Sequence, residues 1–190
     1  YDQDLGLLAV TEDDQLLGFN VLVGGSMGTT PSKQNCFPAL AKRMAFVNRD
    51  ELMSVITAII MVQRDFGNRA DRSQARMKYL IHNWGLAKFK AKVEEYLSQA
   101  EEICGVAAGT VRRPLPDPHP ADVTQHHDHL GWHAQGDGKW FLGLPIENGR
   151  VKDDGKVRLK TALRKLFSEH VPTGRLTAQQ NILLCDLEED

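Results

Sequence analysis

Between Gln63 and Gly85 the chain reads QRDFGNRADRSQARMKYLIHNWG, four arginines and a lysine in a protein whose formal net charge is −2. Arginine forks grip carboxylates and phosphates through paired hydrogen bonds, so the gathering suits a multiply charged anion. Read as a helix from Arg69 to Trp84 with Asn68 as its cap, the block sets Arg69, Arg72 and Arg76 at i, i+3 and i+7, along one face. That face would start at the positive end of the helix dipole, where backbone amides already favour an anion, and Asn68 adds a neutral polar donor. The alternative is a solvated basic face, or one satisfied internally by Asp65 and Asp71.

Other chemistry-bearing groups are weaker. GGSMGTT, residues 24 to 30, has glycines at Gly24, Gly25 and Gly28 that let backbone amides approach an anion closely. It fits neither GxGxxG nor GxxxxGK[ST], and a plain strand-to-loop turn is the simpler reading. Five of the seven histidines, His119, His126, His127, His129 and His133, lie close together in a proline-rich stretch. Imidazoles there invite zinc, copper or nickel, but a specific site needs rigid ligands and supporting bonds, so a solvated loop and no metal site is expected. Cys36, Cys104 and Cys185 form no CxxC pair and read as reduced structural thiols. They are too few for an iron–sulfur cube, which takes four thiolates.

Composition sets the outer limits. The 190 residues, 42% hydrophobic and 25% charged, allow one large or two small domains. A balance of 23 basic against 25 acidic residues argues against a protein that coats nucleic acid or an anionic membrane. Nucleic-acid binding through Arg69 to Lys78 lacks a basic stripe with interleaved aromatics. No apolar run approaches the roughly 18 residues of a membrane span, and YDQDLGLLAV carries no basic leader segment. A cytoplasmic protein is expected, and a chain starting at Tyr1 and stopping at an acidic CDLEED suggests a processed product or an excised piece.

The elements that must position these residues follow from periodicity. Two aliphatic runs around TEDDQ predict a β-hairpin over residues 4 to 23. After Pro38, ALAKRMAFV predicts a short helix. Asn48, followed by Asp50 and Glu51, predicts a capped helix ending near Phe66, with Leu52, Val55, Ile56, Ile59 and Ile60 facing the core. Gly85 separates the arginine helix from another, Ala87 to Ile103, whose Phe89, Val93, Tyr96 and Leu97 keep the helical period. Beyond Gly105, VRRPLPDPHPADVTQHHDH holds four prolines and no apolar period, which marks a linker. KWFLGLPIENGRV then predicts a strand or hairpin, KVRLKTALRKLFSEH an amphipathic helix, and GRLTAQQ and NILLCDL closing strands, a compact β-α-β unit. The expected fold class is α+β.

NVLVGGSMG, QRDFGNRADRSQARMKYLI, FKAKVEEYL, LGWHAQGDGKWFLGLPIENGRV and RLTAQQNILL, in that order, resemble the middle of the sirohaem- and [4Fe-4S]-dependent nitrite/sulfite reductase family. The GNRxDRxxAR block is more similar to assimilatory sulfite reductase haemoproteins than to nitrite reductases. The resemblance covers nearly the whole chain, with the linker departing freely. It implies the end of a first sirohaem-binding α/β domain over residues 1–106, a Pro/His-rich linker over 107–128, and a ferredoxin-like half-domain over 129–190.

It further implies six-electron reduction of sulfite to sulfide, or of nitrite to ammonia, at a sirohaem coupled to a [4Fe-4S] cluster, with ferredoxin or a flavoprotein reductase as electron donor. Sirohaem carries eight carboxylates, and an unpaired buried charge costs several kcal/mol, which accounts for the arginines. Arg76 matches a basic position near sirohaem and substrate, a catalytic role. Gln180, in TAQQN, matches a glutamine of the cofactor region, and Asn68, Arg69 and Arg72 are implied as carboxylate or domain-packing partners. The family's C-x5-C and C-x3-C cluster motifs are absent, so the cluster ligands are not in this chain. An internal fragment, inactive alone, meeting the rest of its parent chain and prone to self-association, is the expectation. A non-catalytic anion- or tetrapyrrole-binding or protein-interaction module of the same fold is the alternative.

Overall fold

The computed structural model describes the chain apart from residues 14, 30, 31, 34, 124–127 and 190. It forms two compact units, the first ending at Val123. In the first, strands β1 (Leu5–Glu12), β2 (Gln15–Val23) and β3 (Lys42–Val47) make an antiparallel sheet in the order β1-β2-β3. Helices α1 (Arg49–Phe66), α2 (Met77–Trp84) and α3 (Leu86–Cys104) supply its other layer. Val21, Val23, Met44, Ala45 and Val47 from the sheet meet Val55, Ile59 and Val62 of α1 and Phe89, Val93 and Leu97 of α3 in one core.

The expected hairpin forms, and α1 begins where Asn48 predicts, with the Glu51 carboxylate accepting from the Asn48 amide at 2.7 Å. Gly85 and Gly105, both at positive φ, bound α3. Four expectations are corrected. ALAKRMAFV holds a strand rather than a helix, because the second edge of β2 pairs with it, Val21 opposite Ala45 and Phe19 opposite Val47. Pairing and burial outweigh helix propensity there. Ile60 is exposed, and the buried stripe of α1 runs instead through Ser54, Val55, Ala58, Ile59, Met61 and Val62.

The arginine helix starts only at Met77; Arg72–Gln74 is a single 3-10 turn. Asn68 Oδ1 accepts from the amides of Ala70 and Asp71, each at 3.0 Å, and Asp71 Oδ1 accepts from the Ser73 amide at 2.9 Å. Side chains that capture nearby amides in this way compete with helical hydrogen bonding and hold the segment as a loop.

The stretch expected as a linker over 107–128 packs on the first unit up to Val123, with Val111 and Leu115 in its core. Buried carboxylates hold it: Glu101 accepts from the Gly109 and Val111 amides and from Arg113, and Glu51 accepts from the Arg112 amide and guanidinium. Buried Asn20 adds a clamp, donating to the carbonyls of His119 and Ala121 and accepting from the His119 amide.

The second unit is an antiparallel sheet in the order β4-β5-β9-β8, with β4 (Gly131–Ala134), β5 (Trp140–Leu144), β8 (Thr173–Leu176) and β9 (Ile182–Leu187). A small ribbon, β6 (Asp153–Asp154) with β7 (Val157–Arg158), precedes α4 (Leu159–Glu169). Asp153 accepts from the Thr161 amide and hydroxyl, anchoring the ribbon to the first turn of α4. Leu163 of α4 packs with Ile146, Val171, Ile182 and Leu184. The hairpin partner of β5 is the upstream β4, a strand too short to announce itself in the sequence. Among the described residues no helix is long and apolar enough to cross a membrane.

Candidate functional site

The loop from Asn68 to Arg76 runs from the C-terminal end of α1 to the start of α2. Arg69 and Arg72 stand exposed, and no ion pair with a described residue engages either. Nearby acids are committed elsewhere. Asp65 takes Arg64 at 2.6 Å and the Tyr96 hydroxyl at 3.0 Å, and Asp71 takes the Ser73 hydroxyl at 2.7 Å. The Ser73 hydroxyl and then its amide hold the Asp71 carboxyl below its ordinary value. Beside the loop lies a concavity lined by Ser32, Lys33, Asn35, Asp71, Ser73 and Gln74.

Arg76 precedes α2 and is engaged: its Nε donates to Asp4 Oδ2 at 2.6 Å, while Asp4 Oδ1 accepts from the Met77 amide at 3.1 Å. One residue further on, Lys78 is buried, its Nζ donating to the carbonyls of Ser26, Gly28 and Phe37 at 3.4, 2.7 and 2.5 Å. It ties the glycine segment and the loop at Phe37 to α2. Burial, then the neighbouring Arg76 charge, lowers the Lys78 ammonium pKa.

Asn68, Arg69, Arg72 and Arg76 therefore share one loop but not one helical face. Gln180 belongs to the second unit, in a turn where its backbone sits at φ 67° and its amide donates to the Thr177 carbonyl at 3.0 Å. Gly24 and Gly25 serve packing. The Gly24 and Gly25 amides donate to the carbonyls of Asp4 and Gln3, and a Cβ on Gly25 would meet the Tyr1 carbonyl at 2.2 Å. Those two amides are not available to an anion. Sequence reasoning missed Asp4 and Lys78. The signal for Lys78 was a lone charge among Met77, Tyr79, Leu80 and Ile81; for Asp4, whose side-chain partners lie more than 70 residues away, there was none.

The thiols are dispersed. Cys36 adjoins Ser73 and Gln74, Cys104 lies 3.3 Å from the Thr57 hydroxyl, and Cys185 is buried in β9. Among the described residues no group of three or more histidine, cysteine or acidic side chains is placed to hold a metal ion. His119 Nδ1 accepts from the Ala121 amide and His133 stacks on Phe141 at 4.9 Å; His126 and His127 lie outside the described residues.

Comparison with known proteins gives two matches in chain order: the nitrite and sulphite reductase 4Fe-4S domain over residues 1–101 and the nitrite/sulfite reductase ferredoxin-like half domain over residues 133–190. The chain is 44% identical over 189 residues to the ferredoxin-type sulfite reductase of Synechococcus elongatus, covering 99% of this chain and 28% of that protein. It is 37% identical over 190 residues to the NADPH-type sulfite reductase hemoprotein beta-component of Geobacillus thermodenitrificans, covering 100% of this chain and 31% of that one. The structure of the Mycobacterium tuberculosis NirA protein superposes with a TM-score of 0.68 at 29% identity, over 98% of this chain and 30% of that chain. The chain thus spans less than a third of the length of these relatives.

Proposed function

This chain belongs to the nitrite and sulphite reductase family, whose members depend on sirohaem and a [4Fe-4S] cluster, and from that premise we propose that it serves as the central part of an assimilatory sulfite reductase. The larger protein would reduce sulfite to sulfide by six electrons, drawn from ferredoxin or a flavoprotein reductase in the cytoplasm. Support for sulfite over nitrite comes from the names of the relatives quoted above.

The residues present fit the two cofactors unequally. Three dispersed thiols do not make a cluster site, so the cluster ligands belong to other parts of the parent. The exposed Arg69 and Arg72 suit the sirohaem carboxylates. An octacarboxylate set into protein needs cationic partners, and two exposed guanidinium groups that no carboxylate among the described residues engages are the observation that carries the reading. Bound sirohaem would supply the electron-transfer chemistry at its iron. This chain's part would be electrostatic: in the first unit Arg69 and Arg72 would hold carboxylates, Asn68 would add a neutral polar contact and Arg76 would meet the substrate oxyanion.

The test is a titration of the purified chain with sirohaem, followed at the Soret band. Saturable binding, weakened by Arg69→Ala and by Arg72→Ala, is expected; no binding by the unmutated chain overturns the reading for these residues. The dispersed thiols also favour a second reading, a module of this fold that binds an anionic tetrapyrrole without catalysis. An open reading frame continuing past residue 190 into C-x5-C and C-x3-C decides for the enzyme. Surfaces built to meet the rest of the parent would make the separate chain self-associate, with size-exclusion chromatography as the check; a clean monomer at high concentration refutes that.

A further inference from the structure

Asp4 is anchored at three points. Its carbonyl accepts from the Gly24 amide at 2.8 Å, its Oδ1 accepts from the Met77 amide at 3.1 Å, and its Oδ2 accepts from Arg76 Nε at 2.6 Å. The first bond fixes the residue to the end of β2, and the second fixes its carboxylate to the first turn of α2. With both oxygens in use, the carboxylate cannot swing to embrace the guanidinium fork without giving up the helix amide. It holds Arg76 by the inner nitrogen alone. No described residue bonds the outer Nη1 and Nη2 groups, and nearly half of the Arg76 side chain is exposed.

We propose that Asp4 is the positioning residue for Arg76: it pins the guanidinium through Nε so that Nη1 and Nη2 point outward as a paired donor for two oxygens of an oxyanion. This rests on the reading above that Arg76 meets the substrate. An unpinned arginine samples many rotamers, and an anion that binds it must order them all; a pinned one presents its donors in advance. An exposed ion pair adds little to stability, so orientation is where this pair has its effect. Asp4 partly neutralises Arg76 and so weakens its long-range pull, while fixing where its short-range bonds form.

The conservative variants separate orientation from helix capping. In Asp4→Asn the side-chain oxygen still accepts from the Met77 amide, but the amide group now faces Arg76 Nε donor against donor, and the guanidinium is released. In the ¹⁵N-labelled chain, the Arg76 Nε–H resonance is expected to be protected from solvent exchange in the parent and at least about tenfold less protected in Asp4→Asn, with the Met77 amide unchanged. An Arg76 resonance unaltered by Asp4→Asn overturns the proposal without any cofactor being involved. In the cofactor-loaded full-length reductase, Asp4→Asn should raise the KM for sulfite about tenfold, close to the effect of Arg76→Ala, and Asp4→Glu should recover most of the loss. If Arg76→Ala impairs sulfite use and Asp4→Asn does not, the positioning role falls while the reading of Arg76 stands. If Arg76→Ala changes neither KM nor kcat, the reading of Arg76 falls, and this role falls with it.

Discussion

Two arginine pairs in the first unit are put to opposite uses. Arg112 sends Nε and Nη2 to the two oxygens of Glu51, both at 2.6 Å, and Arg113 reaches Glu101 at 2.8 Å. Those carboxylates are 3% and 1% exposed. Arg69 and Arg72, on the loop between α1 and α2, have no such partner among the described residues. The first pair exists because a carboxylate in the core must be matched; it belongs to the fold. The second is spared that duty and is available to an external anion. Arginine content alone does not separate them, since both stretches are rich in it. What separates them is whether an acidic side chain on a neighbouring helix is buried within reach.

The comparison breaks most visibly at Glu101. Glu101→Ala strands the Gly109 and Val111 amides and the Arg113 guanidinium together, and a cost of about 3–5 kcal/mol is expected for removing one partner of a buried pair. Urea denaturation should show the lowered midpoint. Asn20→Ala, which deletes a fully buried amide holding His119 and Ala121, should cost about 2–3 kcal/mol by stranding backbone groups. If either variant keeps the parental midpoint, the segment from Gly109 to Val123 is not held as described.

A smaller effect follows from acid. Burial pushes the Glu51 carboxyl up, but the Arg112 guanidinium and the Asn48 and Arg112 amides outweigh it, leaving the pKa below the ordinary 4.5. Burial likewise pushes Glu101 up, and Arg113 with the Val111 and Gly109 amides brings it below 4.5. A depressed folded-state pKa gives stability that is fully present above the unfolded value and lost as pH falls through the folded one. The urea midpoint should therefore decline as pH drops below about 4.5, and the decline should be shallower in Glu101→Gln. An equally steep profile in that variant would assign the acid sensitivity to other carboxylates.

Most of the fold was legible in local pattern. The α1 cap, the Gly85 break, the α3 period and the closing strand are each written within a few residues. The failures share a physical cause. At ALAKRMAFV the deciding partner is β2, some twenty residues away, and no local pattern reports an open strand edge. At Arg69–Arg76 the sequence was read for side-chain spacing, while the backbone amides taken by Asn68 and Asp71 decided the conformation. The Pro-rich stretch looked like a linker because prolines suppress periodicity; its attachment depends on Glu51 of α1, Glu94 and Glu101 of α3 and Asn20 of β2, each ordinary in its own segment. The candidate residues Arg69, Arg72 and Arg76 stood out by residue type and by a helical spacing that the loop does not keep, Gln180 only through the family resemblance, and Asp4 escaped because its side-chain partners are far off in the chain.

The sharpest form of the contrast lies in the smallest expected change in stability. Arg69→Ala and Arg72→Ala remove exposed side chains that engage no described carboxylate, so each should move the urea midpoint by the equivalent of no more than about 0.5 kcal/mol. The same substitutions should weaken sirohaem binding about tenfold each, the roughly 1.4 kcal/mol that corresponds to one charge-assisted hydrogen bond to a carboxylate. High salt should narrow the difference, because exposed charges are screened within about 10 Å at 0.1 M. Arg112→Ala is the control with the opposite signature: it leaves Glu51 in the core without its guanidinium, so it should lower stability clearly, while the loop cations that would meet the cofactor stay in place. A chain in which Arg112→Ala and Arg69→Ala behave alike in both measurements would erase the distinction between structural and available arginines.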